Sequence, residues 1–422
     1  MLKNISYPRK PILIKCLAII TCLVYCYFET LYHQDFDIFI LATKDFLQGG
    51  NIYKNTYDNG FHFFYGAIFS VILSPFTLLP IHVARFIWIC LNILALLRTW
   101  KLINFYLDKS KLASKQILWF NAICIIFSAK LVLDNFHNGQ VTIFLLLLIL
   151  EGLKLIEQKK KIKGASLIAL GISVKLLPLI LIPYLFFIKE FKAIAVIIVF
   201  FFLFLLLPGV FVGFDHNILL LSEWWHLINP TNVEQVIDTA EPALNGLTSF
   251  IPTLLIENVP DNAAFSIKRN ITDLDVKSVS LIINTLRLIL VLMTLFFLRR
   301  FPFKKATSKL NSFWELSYIL LLIPMIFPHQ QHYAFLLGLP ACVYCVNWLM
   351  MQRTHINKVQ FNLRITLLVL IYICFNLHLI LGQFREYYDH FKLISYGSVL
   401  LVILLAICKP VQVHLYSKDV MK

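Results

Sequence analysis

Three carboxylates, Asp35, Asp37 and Asp45, sit just past the first apolar run of the chain, where a membrane protein gains nothing structural from placing them. A carboxylate at that depth can take a proton from a hydroxyl, and the Asp35-x-Asp37 spacing also invites a metal assignment. Two cations stand deep in apolar sequence: Lys175, ahead of Leu176-Leu177-Pro178, and Arg287, near the middle of Val276–Leu298. Each costs about 2.5–3.5 kcal/mol on insertion scales, so a function must be sought for it. Arg85, at the start of its apolar run, reads as a snorkelling side chain. A cation under a membrane surface, beside an acidic loop, suits an anionic lipid headgroup, because a partly desolvated phosphate needs charge-assisted donors. His329-Gln330-Gln331-His332-Tyr333 carries two histidines three apart but no local Glu or Cys, which argues against zinc. His332 then reads either as a hydrogen-bond donor to substrate or as a plain interfacial histidine.

These residues need a membrane frame. The chain is 59% hydrophobic and 14% charged, more apolar surface than a soluble fold can cover. Its formal charge of +15 lies in short clusters between apolar runs, which is a topology signal and excludes nucleic acid as partner. All nine cysteines fall in or at the ends of apolar segments, so no structural disulfide is expected. Cys342-x-x-Cys345 lacks a partner pair and reads as packing. Lys3, Arg9 and Lys10 precede the run Pro11 to Leu31, which is long and followed by no small-x-small site; it reads as an uncleaved first span with the N-terminus in the cytoplasm.

The periodicity of Phe36, Phe39, Ile40, Phe46 and Leu47 predicts an amphipathic helix over Phe36 to Leu47 lying on the membrane surface. Asp35 falls at its N-cap and Asp37 in its first turn, so capping and dipole compensation explain both without any catalysis. Phe61 to Pro80 is apolar enough to span. Only if it does not cross, and is a surface or re-entrant helix broken at Pro75, do all later basic clusters, Lys109, Lys111 and Lys115 included, share the cytoplasmic side. Further spans are expected at Ile81–Tyr106, Ile117–Leu133, Val141–Ile156, Phe191–Val212, Val276–Leu298, Phe313–Phe327, Tyr333–Met350, Phe361–Leu381 and Leu393–Cys408. Gly164–Ile188, basic at both ends and interrupted by Pro178 and Pro183, must be two half-helices of about 12 residues and about 18 Å each. Such half-helices are tolerated only around a cavity or packed site. The expectation is a single all-α polytopic membrane domain over 1–422, with about 11–13 transmembrane helices and external loops at 32–80 and 213–275.

Four pieces of the chain carry a resemblance. They are Asp35-Phe36-x-Ile38-Phe39 running to Gly50-Asn51-Ile52-Tyr53 and Leu78-Leu79-Pro80; Asn138-Gly139-Gln140-Val141 opening a span; Gly164-Ala165 through Gly171 to Lys175-x-x-Pro178; and Pro328-x-x-x-His332-Tyr333, with Asn245-x-x-x-Ser249 weaker. In order and spacing the chain resembles the GT-C integral-membrane glycosyltransferases, most closely glycosyltransferase family 87, which includes polyprenol-phosphate-mannose-dependent mannosyltransferases. One departure stands out: the family usually shows Tyr-Pro-Pro after the acidic loop, and here Tyr65 is followed by Gly66-Ala67.

The resemblance implies transfer of a hexose, mannose-like, from a polyprenyl-phosphate sugar to a glycan or glycolipid acceptor on the outer face of the plasma or inner membrane, with inversion. Asp35 matches the family's acidic base and Asp37 is the alternate or supporting acid. Lys175, His332, Gln140, Asn245 and Arg287 form the expected substrate-binding set. No cofactor and no metal are expected, since a lipid monophosphate can be handled by Lys175. A secondary transporter or lipid flippase would also use intramembrane charges and a broken hairpin, but no inverted repeat is detectable. A polysaccharide ligase or polymerase would lean on Arg and His in its loop, where this chain has a single arginine, in Lys268-Arg269.

Overall fold

The computed structural model describes residues 9–58, 60–107, 109, 112–229, 236–259 and 267–410, with side chains from residue 15 onward. Lys3 and Lys111 of the basic clusters lie outside these residues. Among the described residues the secondary structure is helical, with two isolated β-bridges, Tyr57 to Phe61 and Leu244 to Gln331. The helices are α1 (Arg9–Glu29), α2 (Asp35–Leu47), α3 (Ala67–Leu73), α4 (Ile81–Tyr106), α5 (Ser114–His137), α6 (Thr142–Glu157), α7 (Lys161–Val174), α8 (Leu181–Phe187), α9 (Phe191–Leu206), α10 (Gly209–Val212), α11 (Phe214–Ile228), α12 (Leu247–Leu255), α13 (Val276–Leu298), α14 (Lys309–Ile326), α15 (Leu339–Gln352), α16 (Lys358–Asn376), α17 (Arg385–His390) and α18 (Leu393–Ile407).

The chain is therefore an all-α polytopic membrane protein. Six helical segments among the described residues are long and apolar enough to cross a bilayer, and a pair bent by 65°, Gly382–His390 with Leu393–Ile407, makes a seventh. The expected 11–13 is not reached by this measure because several apolar helices are short. Helix α6 has 16 residues and α7 has 14, a reach of about 21–24 Å against a hydrocarbon core of about 30 Å. The stretch 61–80 does not form a spanning helix. Seven-residue α3 runs into the 3-10 segment Ser74–Leu78 at Pro75, together about 20 Å long. The segment 164–188 breaks at Lys175, which is extended between α7 and the 3-10 turn Leu177–Ile180. All nine cysteines are free thiols, with Cys342 and Cys345 buried in α15.

The fold divides into two compact units, the first comprising Met1–Trp100, Leu133–Pro178 and Lys192–Asn229, the second Lys101–Val132, Leu179–Phe191 and Pro230–Lys422. In the first, α2 is not left on a surface. Phe36, Phe39, Ile40 and Phe46 are all buried, because Phe36 stacks on Trp88 at 5.1 Å and Phe39 meets Tyr65 at 4.8 Å and Phe69 at 5.3 Å. Apart from exposed Leu47, the amphipathic stripe thus faces the aromatic rings of the segment after α2, residues 48–66 (loop 1), and of α3 and α4 rather than lipid. Helices α6 and α7 pair so closely that a Cβ on Gly152 would lie 2.8 Å from the carbonyl oxygen of Gly164. The bidentate pair Arg98–Glu151, at 2.8 Å through each nitrogen, ties α4 to α6.

In the second unit α14 and α15 are almost wholly buried. Phe297 of α13 stacks on Tyr318 of α14 at 3.9 Å, and the Trp314 indole N–H donates to the Leu405 carbonyl at 2.9 Å. Helices α16 and α18 approach at Gly397, where a Cβ would stand 2.7 Å from Cys374 Cβ.

Candidate active site

The two aspartates that open α2 do different things. The N-cap is Gln34, not Asp35, and Asp35 is the first helical residue. The Gln34 backbone N–H donates to Asp37 Oδ2 at 3.1 Å, so the capping carboxylate is Asp37. Asp37 is also the counter-ion of Arg85: the guanidinium donates through Nε to Oδ1 at 2.8 Å and through Nη2 to Oδ2 at 2.5 Å, while Nη1 donates to the Thr30 carbonyl at 2.8 Å. Arg85 is 5% exposed, so it does not snorkel; it is a buried partner that fixes the start of α2. The cap expected of Asp35 thus falls on Asp37, which also carries the ion pair with Arg85. Asp35, the other carboxylate, is half-buried.

One hydrogen-bonded row leads to that carboxylate. The Gln140 amide N–H donates to Asp35 Oδ2, and the Tyr65 hydroxyl donates to Gln140 Oε1 at 3.0 Å. Burial, and then the Asp35 charge, push the Tyr65 phenol above its ordinary range, so it stays a donor. Gln140 is delivered here by the elbow between α5 and α6. Gly139 has φ +61°, and a Cβ there would stand 2.8 Å from both Gln34 Oε1 and Phe36 Cβ, so the position needs glycine twice over. The Trp88 indole N–H secures the elbow by donating to the Gly139 carbonyl at 2.6 Å. Expected to bind substrate, Gln140 is instead 1% exposed, with both ends of its amide on protein groups.

Lys175 also lies by Tyr65, its Nζ 5.4 Å from the ring centroid and within electrostatic reach of Asp35. The Gly66-Ala67 departure finds its reason at this point. The Gly66 N–H donates to the Val174 carbonyl at 3.0 Å, a bond proline cannot make, and a Cβ at Gly66 would run into the Ser173 carbonyl. This close approach sets Tyr65 against the residue preceding Lys175.

The third carboxylate is used structurally. Asp45 accepts from Asn55 Nδ2 at 2.7 Å and from the Tyr57 hydroxyl at 2.6 Å, stapling the turn after α2. His33, Asp37 and Asp58 offer ligand atoms within 4.8 Å of one another. With both Asp37 oxygens on Arg85, and His33 at 3.5 Å from Asp37 and 3.7 Å from Asp58, this group reads as an ion-pair cluster.

The remaining expected site residues belong to the second unit. His332 Nδ1 is 3.3 Å from Lys130 Nζ and its Nε2 is 3.1 Å from Asp389 Oδ1, so both ring nitrogens face protein charges. His378 and Tyr388 complete the cluster, their rings 6.0 and 5.9 Å from that of His332. Asn245 is 2% exposed; its side-chain amide donates to Ala243 O at 2.9 Å, and the Ser395 hydroxyl donates to its backbone carbonyl at 2.7 Å and to its Oδ1 at 3.2 Å. Arg287 donates through Nε to the Ile326 carbonyl at 2.9 Å, the last residue of α14. Sequence reasoning passed over Tyr65, Lys130 and Asp389. Lys130 was detectable as a charge in an apolar run, now 1% exposed in α5. Asp389 has an ordinary polar neighbourhood and carried no signal.

A family model described as glycosyltransferase family 87 matches residues 63–324, more than half of the chain. The match takes in Tyr65, Arg85, Gln140, Lys175, Asn245 and Arg287; Asp35 and His332 fall on either side of it. Comparison with curated proteins finds no match.

Proposed function

Because the chain belongs to glycosyltransferase family 87, and is thus a membrane glycosyltransferase, we propose that it moves a hexose, mannose-like, from a polyprenyl-phosphate sugar to a glycan or glycolipid acceptor, with Asp35 as general base. The observation that carries this reading is the division of labour among the acidic residues. Asp37 is consumed by Arg85 and the cap and Asp45 by Asn55 and Tyr57, whereas Asp35, half-buried, stands at the end of the Tyr65–Gln140 row and within electrostatic reach of Lys175.

In this mechanism the acceptor hydroxyl gives its proton to Asp35 as its oxygen attacks the anomeric carbon. The bond from that carbon to the phosphate oxygen breaks on the opposite face, and the configuration inverts. Gln140 and Tyr65 are positioning residues: the Tyr65 hydroxyl holds the Gln140 amide, whose N–H holds the Asp35 carboxylate at the start of α2. Lys175 meets the charge that develops on the departing polyprenyl phosphate, a role for a fixed cation in a water-poor site. General-base assistance supplies about 10²–10⁴-fold. A lipid monophosphate paired with Lys175 needs no divalent ion. The reading places the N-terminus in the cytoplasm and the site on the outer face of the cell membrane, where the acceptor arrives.

The test is transfer by purified protein from radiolabelled polyprenyl-phosphate sugars to a panel of membrane extracts. Labelled glycan or glycolipid product supports the reading. Transfer from nucleotide sugars alone, with none from the lipid-linked donor, refutes it.

A further inference from the structure

Helix α11 has three faces, not two. Asn217, Leu220 and Trp224 are buried on one of them. Phe214, Ile218, half-buried Leu221 and Trp225 recur at i, i+4, i+7 and i+11 along a second, and Phe214, Ile218 and Trp225 are 56%, 61% and 55% exposed. Asp215, Ser222 and His226, all exposed, make the third mainly polar, with Leu219, 45% exposed, among them. A helix with protein on one side, apolar rings on the next and polar groups on the last has the form of one lying in a membrane interface.

Its place in the chain says what covers the apolar stripe. The span Phe191–Val212 is largely uncovered by protein and ends at Gly213, directly before α11. Val210 and Phe211 at the end of that span are 69% and 53% exposed, so the lipid-facing surface of the span continues into Phe214. The buried face of α11 grips loop 1. The Trp224 indole N–H donates to the Phe64 carbonyl at 3.2 Å, and Glu223 pairs with Lys54 at 2.8 Å. His216 Nε2 meets the Gly50 carbonyl at 3.2 Å, and Tyr53 stacks on Trp224 at 6.5 Å. Loop 1 continues from these contacts to Tyr65.

We infer that α11 lies in the membrane surface with Phe214, Ile218 and Trp225 among lipid, and that this contact holds residues 50–66 in place. The occupant of the stripe is the headgroup–acyl boundary of the bilayer. Neither part of the inference depends on which sugar is moved, or on whether one is.

The experiment uses the full chain in proteoliposomes of phosphatidylcholine with and without bromine on the upper acyl chain. Bromolipid should quench the wild type more than Trp225→Phe, the difference isolating Trp225 from the other six tryptophans. Equal quenching of both overturns the membrane placement, whether aqueous iodide then reaches Trp225 (a solvent-facing helix) or does not (a stripe covered by protein). Hydrogen exchange tests the second part. The variant Phe214→Asp/Ile218→Asp should lose protection across residues 50–66, and Asp215→Asn, on the polar face, should not. Unchanged protection in the first variant overturns the coupling; should that variant not insert, Ile218→Asn is read in the same way.

Discussion

Replacing each of the two aspartates at the start of α2 with asparagine should break different things. Asp35→Asn keeps the shape and an oxygen to accept from Gln140, and the N-cap is Gln34, so folding loses little. The rate loses the base: about 10²–10⁴-fold, equivalent to about 3–5 kcal/mol on the barrier at about 1.4 kcal/mol per decade. Asp37→Asn does the reverse. Arg85 is left 5% exposed with neutral acceptors, the Thr30 carbonyl and the asparagine oxygen, and no counter-charge; stranding a buried partner in this way costs about 3–5 kcal/mol of stability. The two substitutions thus carry similar free energies in different observables. Transfer from a radiolabelled polyprenyl-phosphate sugar reads the first, and the midpoint of thermal loss of the folded peak in size-exclusion chromatography reads the second. Asp35→Asn should melt like wild type and transfer almost nothing. Asp37→Asn should melt early, and Asp37→Leu/Arg85→Met should recover part of the loss, because both charges are gone. Near wild-type transfer by folded Asp35→Asn would refute the base assignment. An unshifted midpoint in Asp37→Asn would refute the buried pair.

Three further outcomes are expected. Lys175→Ala should raise the apparent donor requirement and slow transfer with an unchanged melting midpoint; unchanged donor dependence returns Lys175 to a packing role. Gly66→Pro should destabilise the protein by at least the 1–3 kcal/mol or so of leaving the buried Val174 carbonyl without its donor, and a wild-type midpoint would show that contact to be dispensable. In the second unit, Asp389→Asn should be more harmful to stability than the double change Lys130→Met/Asp389→Asn, since Lys130 is 1% exposed and Asp389 lies within its electrostatic reach. A double-mutant cycle should return a coupling of about 0.5–3 kcal/mol; strict additivity would mean that the charges do not support one another.

The parts of this structure that are local in sequence were legible. Ile81–Tyr106 and Val276–Leu298 match the helices residue for residue, because an apolar run bounded by polar residues needs no tertiary knowledge to read. The break at Lys175 was marked by its charge and by Pro178, and the failure of 61–80 to span by Pro75. What depends on partners far along the chain was not. Asp37 and Arg85 are 48 apart, so nothing near Arg85 distinguishes an ion pair from a snorkel. The N-cap slipped by one residue because Gln34 and Asp35 both precede the apolar stripe, and helix ends are blurred at that level. That slip mattered: it gave the cap to Asp35, whereas the capping carboxylate is Asp37. Lys130 is a different failure, since its charge within an apolar run satisfied the same criterion that singled out Lys175 and Arg287.

The glycine contacts also fix an order of assembly during synthesis. Gly152 and Gly164 lie on either side of a short turn, so α6 and α7 can zip together as soon as both have emerged, with little loop entropy to overcome. Gly66 must find the end of α7, roughly a hundred residues later, and at about 5–20 residues per second that interval is about 5–20 s. The start of α2 can close on Arg85 and Trp88 once α4 has been made, but Gly66 has no Val174 carbonyl to bond until α7 arrives. The corner that holds Asp35 is therefore encoded near the beginning of the chain and completed only after α7 has been made.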